Sequence, residues 1–139
     1  MQHEFAFEGL DVYRLAVDVA RWVRTTKWPT GASHLKDQAT RAADSVVLNI
    51  AEGMARGGRP GANHLRVALG SAGEVLAALD VADFRACHER RTQLRRIGAM
   101  LHRLRTRRKR VRRAHSGSSA PGAEARRVQR RMSPRSRAS

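Results

Sequence analysis

The order of apolar and polar side chains between residues 33 and 56 predicts a long amphipathic helix. At about 100° per residue, the apolar side chains of this segment fall on one side, as in a helix that faces a core. They are Leu35, Ala39, Ala42, Ala43, Val46, Ile50 and Met54. A polar row lies beside them and consists of Gln38, Arg41, Ser45, Asn49 and Glu52. A strand would scatter each set over both faces, so a strand is excluded.

Three further segments have helical periodicity, and the residues between them favour turns. We predict helices over residues 10–27, 33–56, 62–83 and 89–110, with Ser33 as the N-cap of the second. Pro29 and Gly31 interrupt the first connection, and Gly57-Gly58 ends the second helix. The third connection is the least defined, because residues 84–88 contain no glycine. Short connections between amphipathic helices predict an all-α, antiparallel up-down-up-down four-helix bundle.

The polar row of the second helix has two interpretations. It is either a solvated face or a packing code that sets how this helix meets its neighbours. A covered row needs partners, because an unpaired buried polar group costs about 1–3 kcal/mol. We expect Glu74 in the third helix to face Arg41 or the level of Asn49 and to form a charge-assisted pair there.

Three glycines fall inside the predicted second and third helices. A glycine within a helix is less favourable than alanine by about 1 kcal/mol, so each position needs a reason. Gly53 shares the apolar side of its helix, and we attribute it to close approach of a neighbouring backbone. Gly70 and Gly73 lie in the third helix, and we attribute them to close packing as well.

Three ordered motifs carry a resemblance to a known family. They are Gln38, Arg41-Ala42, Ser45 and Asn49-Ile50-Ala51-Glu52-Gly53; then Ala68-Leu69-Gly70-Ser71 with Glu74; and, at the start of the chain, Phe7-Glu8-Gly9-Leu10-Asp11-Val12-Tyr13. Over about residues 5–108, the chain resembles the four-helix-bundle proteins encoded in intervening sequences of bacterial 23S ribosomal RNA genes. The resemblance implies the bundle fold and a structural role for the motif residues Gln38, Arg41, Ser45, Asn49, Glu52, Gly53, Ser71 and Glu74.

The resemblance also carries expectations about partners. Related bundles form ring-like homopentamers, so we expect a homo-oligomer. A relative of the family is the accessory subunit of diversity-generating retroelements, which binds reverse transcriptase and RNA through a basic bundle surface. RNA or a reverse transcriptase is therefore an expected partner. Family members usually have a glycine-containing break between helices three and four, and this chain departs from that pattern.

Charge is distributed unevenly along the chain, whose net charge is +16. Residues 1–102 contain 14 Lys/Arg and 11 Asp/Glu, whereas residues 103–139 contain 14 Lys/Arg and a single acidic residue. From residue 114 onward, Gly, Ser, Pro, Ala and Arg dominate. Such a segment buries too little apolar surface to offset the entropy of ordering. We therefore predict a bundle over residues 1–112 and a disordered, Arg-rich tail over residues 113–139.

The candidate nucleic-acid-binding residues are the basic side chains where the predicted bundle meets the tail. Arginine suits bidentate contact with phosphate. Contact with about six phosphates of a single strand would give a slope of about −4 in log affinity against log salt. No aromatic residue interleaves with the run, so it provides no stacking platform. A solvated end without a function is the alternative. The residues are Arg103, Arg105, Arg107, Arg108, Lys109, Arg110, Arg112 and Arg113.

The motifs of common enzyme sites do not occur in this chain. The histidines are dispersed, and none forms the His-x-x-x-His pair of a helical zinc site. Glu52, Glu74 and Glu89 lack the histidine three residues later that a di-iron bundle needs. Ser45 and Ser71 lack a motif-level histidine partner. We therefore predict a non-enzymatic protein without a metal or cofactor.

The remaining features concern location and the final choice of function. A single cysteine, Cys87, excludes an intrachain disulfide, and the chain has no signal-peptide pattern or long apolar run. We therefore expect a cytoplasmic protein without a membrane segment. The sequence favours a non-catalytic oligomeric bundle that binds RNA or a ribonucleoprotein. The competing prediction is a structural or protein-interaction oligomer with no nucleic-acid role.

Overall fold

Four long α-helices and one short 3-10 helix form the described part of the chain. The computed structural model describes residues 5–117, without the side chains of Arg108 and Arg112, and this range contains no strand. The all-α prediction is confirmed. The elements are α1 (Asp11–Thr25), α2 (Ser33–Arg56), α3 (Gly58–Val81), the 3-10 helix (Arg85–Cys87) and α4 (His88–Ser116). The chain divides into two units, Met1–Arg108 and Lys109–Ser139. The bundle lies in the first unit, and the end of α4 lies in the second.

Contacting residues run in opposite directions along neighbouring helices. Between α2 and α3, Ser45 meets Ser71, whereas Asn49, further along α2, meets the earlier residue His64. The same reversal holds between α1 and α2 and between α3 and α4. Successive helices are therefore antiparallel, as the predicted up-down-up-down bundle requires.

All four helices supply side chains to one core. The large side chains that are almost fully buried include Val23, Ile50, Leu65, Val75, Leu79, Ile97 and Leu101. Each contributes about 1.5–3 kcal/mol relative to exposure in water. Five members of the apolar stripe predicted for α2 are buried, and Leu35 and Met54 pack against the core while partly exposed. The periodicity therefore identified the buried face of α2 correctly.

The first connection begins and ends close to the predicted positions. α1 ends at Thr25, before Pro29, and α2 begins at Ser33 as predicted. The N-cap prediction is wrong, because Ala32 occupies the cap position and no side chain caps the helix. The amide of Lys36 donates to the carbonyl of Ala32 at 3.0 Å, so the first helical turn starts one residue earlier than the serine would require.

The second connection is a single glycine turn. Gly57 has a φ of 62° and ends α2, and α3 starts directly at Gly58 instead of at residue 62. A Cβ atom at Gly53 would lie 2.9 Å from the carbonyl oxygen of Gly61, which confirms the predicted backbone approach. The explanation for Gly70 and Gly73 is wrong, since a Cβ at either position would meet nothing within 4 Å.

The third connection turns without glycine. Asp83 adopts a φ of 47°, the left-handed conformation that a glycine would usually supply. The amide of the next residue, Phe84, then donates to the carbonyl of Leu79 at 3.1 Å, and the Phe84 ring is buried. The 3-10 helix follows and leads into α4 at His88.

α4 continues beyond its predicted end at residue 110 to Ser116. Arginine, lysine and alanine favour helices, which explains why the basic run stays helical. Within the second unit, the His115 ring bonds the carbonyl of Val111 at 2.9 Å, and the Gly117 amide bonds that of Arg113 at 3.1 Å. The predicted disordered tail, apart from residues 113–117, lies outside the described residues.

Candidate functional site

The polar row of α2 meets α3 through a chain of hydrogen bonds. The hydroxyls of Ser45 and Ser71 lie 2.9 Å apart. The amide nitrogen of Asn49 donates to the carbonyl oxygen of Ser45 at 2.9 Å and to its hydroxyl at 3.1 Å. The amide oxygen of Asn49 lies 2.9 Å from Nδ1 of His64. We call these four residues the polar seam. Among the described residues, every buried side-chain nitrogen or oxygen has a hydrogen-bond partner.

The seam determines where the His64 ring carries its proton. The carbonyl oxygen of Ser45 only accepts, so the Asn49 group facing it must be the amide nitrogen. The amide oxygen of Asn49 therefore faces His64, and Nδ1 of His64 must donate to it. The neutral imidazole is thus the Nδ1–H form, as assigned from the hydrogen-bond network. Its Nε2 atom is left as an acceptor.

Glu52 lies one turn beyond Asn49 and forms an ion pair with Arg56. The hydrogen bond from Arg56 and the charge of its guanidinium lower the pKa of the Glu52 carboxyl, against a smaller effect of burial. The charge of a protonated His64 acts in the same direction. Both side chains of the ion pair are about half exposed, so the pair contributes little to stability. It holds a carboxylate and a guanidinium beside the seam.

The predicted role of Glu74 is wrong. Its side chain is exposed, and it forms no hydrogen bond or ion pair with the residues that the structure describes. Gln38 and Arg41 are also exposed. The polar row therefore divides into a solvated part and a packed part, so each of its two interpretations holds for one half. The packed half meets Ser71 and His64.

His64 is the seam residue that sequence reasoning missed. It precedes Ser71 by seven residues, so both lie on the same face of α3. That spacing was the available signal, because Ser71 already belonged to a recognised motif. His64 belongs to no His-x-x-x-His pair or serine–histidine motif, because its partner is the amide of Asn49.

An open groove lies beside the seam, and we call it the α2 groove. Its volume is about 460 Å³. It is lined by Phe5, Phe7, Leu48, Asn49, Ala51, Glu52, Ala55 and His64. Phe5 and Leu48 are 65% and 67% exposed, which is high for large apolar side chains. The groove therefore combines an apolar wall with the polar end formed by Asn49, Glu52 and His64.

A second, smaller groove of about 260 Å³ lies between α1 and α2. Arg24 and Asp44 form an ion pair across it, in which Nη2 of Arg24 donates to both carboxylate oxygens of Asp44 at 2.7 Å. Leu48 lines this groove as well as the α2 groove. The apolar lining is Val17, Ala20, Val47 and Leu48, and we call this set the α1/α2 apolar face.

The candidate nucleic-acid-binding residues lie on α4. In the first unit, Arg103 and Arg107 are exposed and Arg105 is partly exposed. In the second unit, the exposed members are Lys109, Arg110 and Arg113. The side chains of Arg108 and Arg112 lie outside the described part. Within that part, none of the candidates forms an ion pair.

The arginines in the first turn of α4 contact other helices of the bundle, unlike the exposed candidate residues further along α4. Arg91 forms an ion pair with Asp80 and donates to the carbonyl of Leu79 at 3.1 Å. Its Nε also donates to the thiol sulfur of Cys87 at 3.2 Å, and this hydrogen bond raises the pKa of the Arg91 guanidinium. Arg90 lies over the Trp22 ring, 5.5 Å from its centre. Arg90 therefore connects α4 to α1, and Arg91 connects α4 to α3.

Residues 5–117 contain neither a metal-binding cluster nor a membrane-spanning helix. No group of three or more His, Cys, Asp or Glu residues there is arranged to hold a metal ion. No helix in this range has an apolar stretch of the length that crossing a membrane requires.

Comparison with known protein families gives a match over most of the bundle. The model of the family described as 23S rRNA-intervening sequence protein matches residues 8–103, which is more than half of the chain. The matched range includes the whole polar seam and ends at the first residue of the basic run. No curated protein and no solved structure gave a significant match.

Proposed function

Since this chain belongs to the 23S rRNA-intervening sequence protein family, we propose that it is a non-catalytic, self-associating bundle that binds RNA or a ribonucleoprotein electrostatically. One observation carries the proposal, namely the charge of α4. Residues 88–116 contain twelve Lys/Arg and one acidic residue, Glu89. A surface with this excess of positive charge attracts polyanions such as RNA.

The exposed arginines of α4 suit contact with phosphates. Arg96, Arg103 and Arg107 follow the spacing i, i+7 and i+11, so they share one face of the helix within the first unit. All three are exposed, and none forms an ion pair with another described residue. Their guanidinium groups are therefore available for bidentate bonds to phosphate oxygens. α4 contains no aromatic residue, so this contact follows the RNA backbone.

Self-association is the second part of the proposal, and the family resemblance indicates a homopentamer. The exposed Leu48 and the rest of the α1/α2 apolar face support it, because contiguous apolar surface on a soluble protein often marks an interface. This observation also favours the competing function, a structural oligomer that does not bind nucleic acid. The two functions differ in their response to RNA.

We propose no catalytic role for the serines and the histidine of the polar seam. The hydroxyls of Ser45 and Ser71 bond each other, and the donor nitrogen of His64 bonds an amide. Neither serine hydroxyl has a histidine partner among the described residues, so the seam is better suited to packing than to nucleophilic attack. The expected partners are RNA or a reverse transcriptase, and the expected location is the cytoplasm.

Truncation after Leu104 tests the proposal. It keeps the buried side chains of α4 that the structure describes, the last of which is Leu101, and removes seven of the eight candidate residues. We expect single-stranded RNA to bind the full chain with a slope of about −4 in log affinity against log salt, and the truncated chain to bind weakly. RNA affinity that does not change on truncation and does not depend on salt would favour the structural oligomer.

A further inference from the structure

We propose that the α2 groove binds an unpaired guanine base of single-stranded RNA. The inference rests on the proposed function, because it names what the bundle recognises in an RNA whose phosphates α4 contacts. Two side chains with hydrogen-bond acceptors, His64 and Glu52, and an exposed aromatic ring, Phe5, line this groove. Unpaired bases are recognised in proteins by this combination of stacking and edge contacts.

Two side chains at the polar end of the groove, His64 and Glu52, each keep an acceptor atom that bonds no other described residue. His64 uses Nδ1 to donate to Asn49, so Nε2 remains as an acceptor on the opposite edge of the ring. Glu52 uses Oε1 for Arg56, and within the described residues its Oε2 forms no hydrogen bond. The fixed amide of Asn49 therefore orients one acceptor, and Arg56 orients the other.

Guanine fits this acceptor pair better than the other RNA bases do. Its Watson–Crick edge carries two adjacent donors, N1–H and the N2 amino group. Adenine and cytosine place a ring acceptor on the same edge, and uracil offers one N–H between two carbonyls. Each of these would bring an acceptor towards Glu52 or His64, which leaves polar groups unpaired and costs affinity.

The aromatic part of the groove is held in place by the N-terminal turn. The Phe5 ring stacks on Phe7 with 5.5 Å between the ring centres, and Phe7 packs against Tyr13 at 4.8 Å. The Glu8 amide donates to the carbonyl of Phe5 at 3.0 Å and closes the turn. The exposed Phe5 ring therefore offers a face on which a base can stack, a contact worth about ten-fold or more in affinity.

A second copy of the chain is the competing occupant, because Phe5, Leu48 and Ala51 are apolar. The acceptor pair argues against it. A protein surface that covered the groove would enclose the ionised Glu52 and the Nε2 of His64, and it would need donors for both. The groove also has the volume typical of small-ligand sites.

The experiment compares short single-stranded RNAs of adenosines that carry one guanosine, inosine or adenosine at the centre. Fluorescence anisotropy at fixed salt measures their binding to the wild type and to the variants Glu52→Gln, His64→Ala and Phe5→Ala. We expect the wild type to prefer guanosine over adenosine by about ten-fold. Inosine lacks the N2 amino group, so its affinity should lie between the two. Each variant should reduce this preference.

Two control variants match the changes in the groove. Glu74→Gln removes one negative charge, as Glu52→Gln does, from an exposed site on α3. His88→Ala removes an exposed imidazole from α4. Both controls should keep the guanosine preference. Circular dichroism checks that each variant is folded. If His64→Ala unfolds, the guanosine preference of the Phe5→Ala and Glu52→Gln variants tests the site, because Phe5 is exposed and Glu52 is half exposed.

The outcomes separate this inference from the proposed function. Equal affinity of the wild type for the three RNAs, with strong salt dependence, overturns the guanine site alone. Failure of all three to bind at low salt overturns the proposed function too. A preference that Glu52→Gln and His64→Ala leave intact overturns the site. If the variants change the mass of the assembly and not RNA binding, the groove is an interface between copies and the inference is wrong.

Discussion

Ser45 of α2 and Ser71 of α3 are 26 positions apart in the chain, and a hydrogen bond of 2.9 Å joins their hydroxyls. Ser71 is only 9% exposed, so water is a poor substitute for a lost partner. Asn49 extends the bond towards His64. Because these hydrogen bonds form only where the partners lie at matching levels of the two helices, the seam fixes the register of α2 against α3. An apolar interface of small residues would tolerate sliding more easily.

Removing the Ser71 hydroxyl should destabilise the bundle. We expect Ser71→Ala to lower the free energy of unfolding by about 1 kcal/mol, because the Ser45 hydroxyl loses its bond to Ser71 and keeps only the one from Asn49. Ser45→Ala should cost at least as much, and the double variant should cost less than the sum of the two. Urea denaturation at one protein concentration measures this. Ser33→Ala, at an exposed site without a capping bond, is the control. Additive effects would show that the two hydroxyls are not coupled.

The orientation of the Asn49 amide leads to a prediction about His64. Nitrogen chemical shifts of the imidazole should identify the Nδ1–H tautomer in the neutral state. Asn49→Asp should destabilise the bundle more than Asn49→Ala does. A carboxylate oxygen would then face the carbonyl oxygen of Ser45, where the amide nitrogen now donates at 2.9 Å. Finding the Nε2–H tautomer would refute the proton placement and remove one acceptor from the guanine site.

Gly53 and Gly70 should respond to alanine in opposite directions. At Gly53 a Cβ atom would lie 2.9 Å from the carbonyl oxygen of Gly61, so α2 and α3 must separate, at a cost of about 1–3 kcal/mol. At Gly70 the space is open, and alanine should stabilise α3 by about 0.5–1 kcal/mol. Thermal or urea unfolding of both variants checks this. A stabilising Gly53→Ala would contradict the close approach.

Leu48→Glu should weaken self-association without unfolding the bundle. The Leu48 side chain is 67% exposed, so its removal costs the monomer little, while a carboxylate would enter the α1/α2 apolar face of the assembly. The control is Val81→Glu, since Val81 is 73% exposed at the end of α3. Sedimentation measures the mass of each variant. We expect a smaller mass for Leu48→Glu only. A wild-type monomer, or equal masses throughout, would reject the interface.

The sequence predicted the helices well because their buried faces are periodic. The bounds of α2 match the prediction at both ends, since Ala42, Val46 and Ile50 repeat at helical spacing up to the glycine turn. The third connection was harder, because Asp83 takes the left-handed conformation that sequence reasoning assigns to glycine. No local pattern distinguishes such an aspartate from one inside a helix.

The candidate site was predicted less completely, since its chemistry depends on contacts between helices. Ser45, Asn49 and Ser71 were identified from their motifs, yet the motif residue Glu74 faces water. Phe5 and Glu52 line the same groove, although one lies in the turn before α1 and the other in the second half of α2. Helical periodicity describes one helix at a time, so it does not show which side chains meet across a groove.

The salt dependence of RNA binding by α4 variants tests the proposed function most directly. The double variant Arg103→Gln/Arg107→Gln removes two exposed charges from one face of α4, and Arg41→Gln/Arg85→Gln removes two exposed charges from other helical elements. We expect a slope of about −4 for the wild type, a slope shallower by about 1–2 for the α4 variant and an unchanged slope for the control. Slopes near zero, or the same slope for all three proteins, would contradict RNA binding through α4.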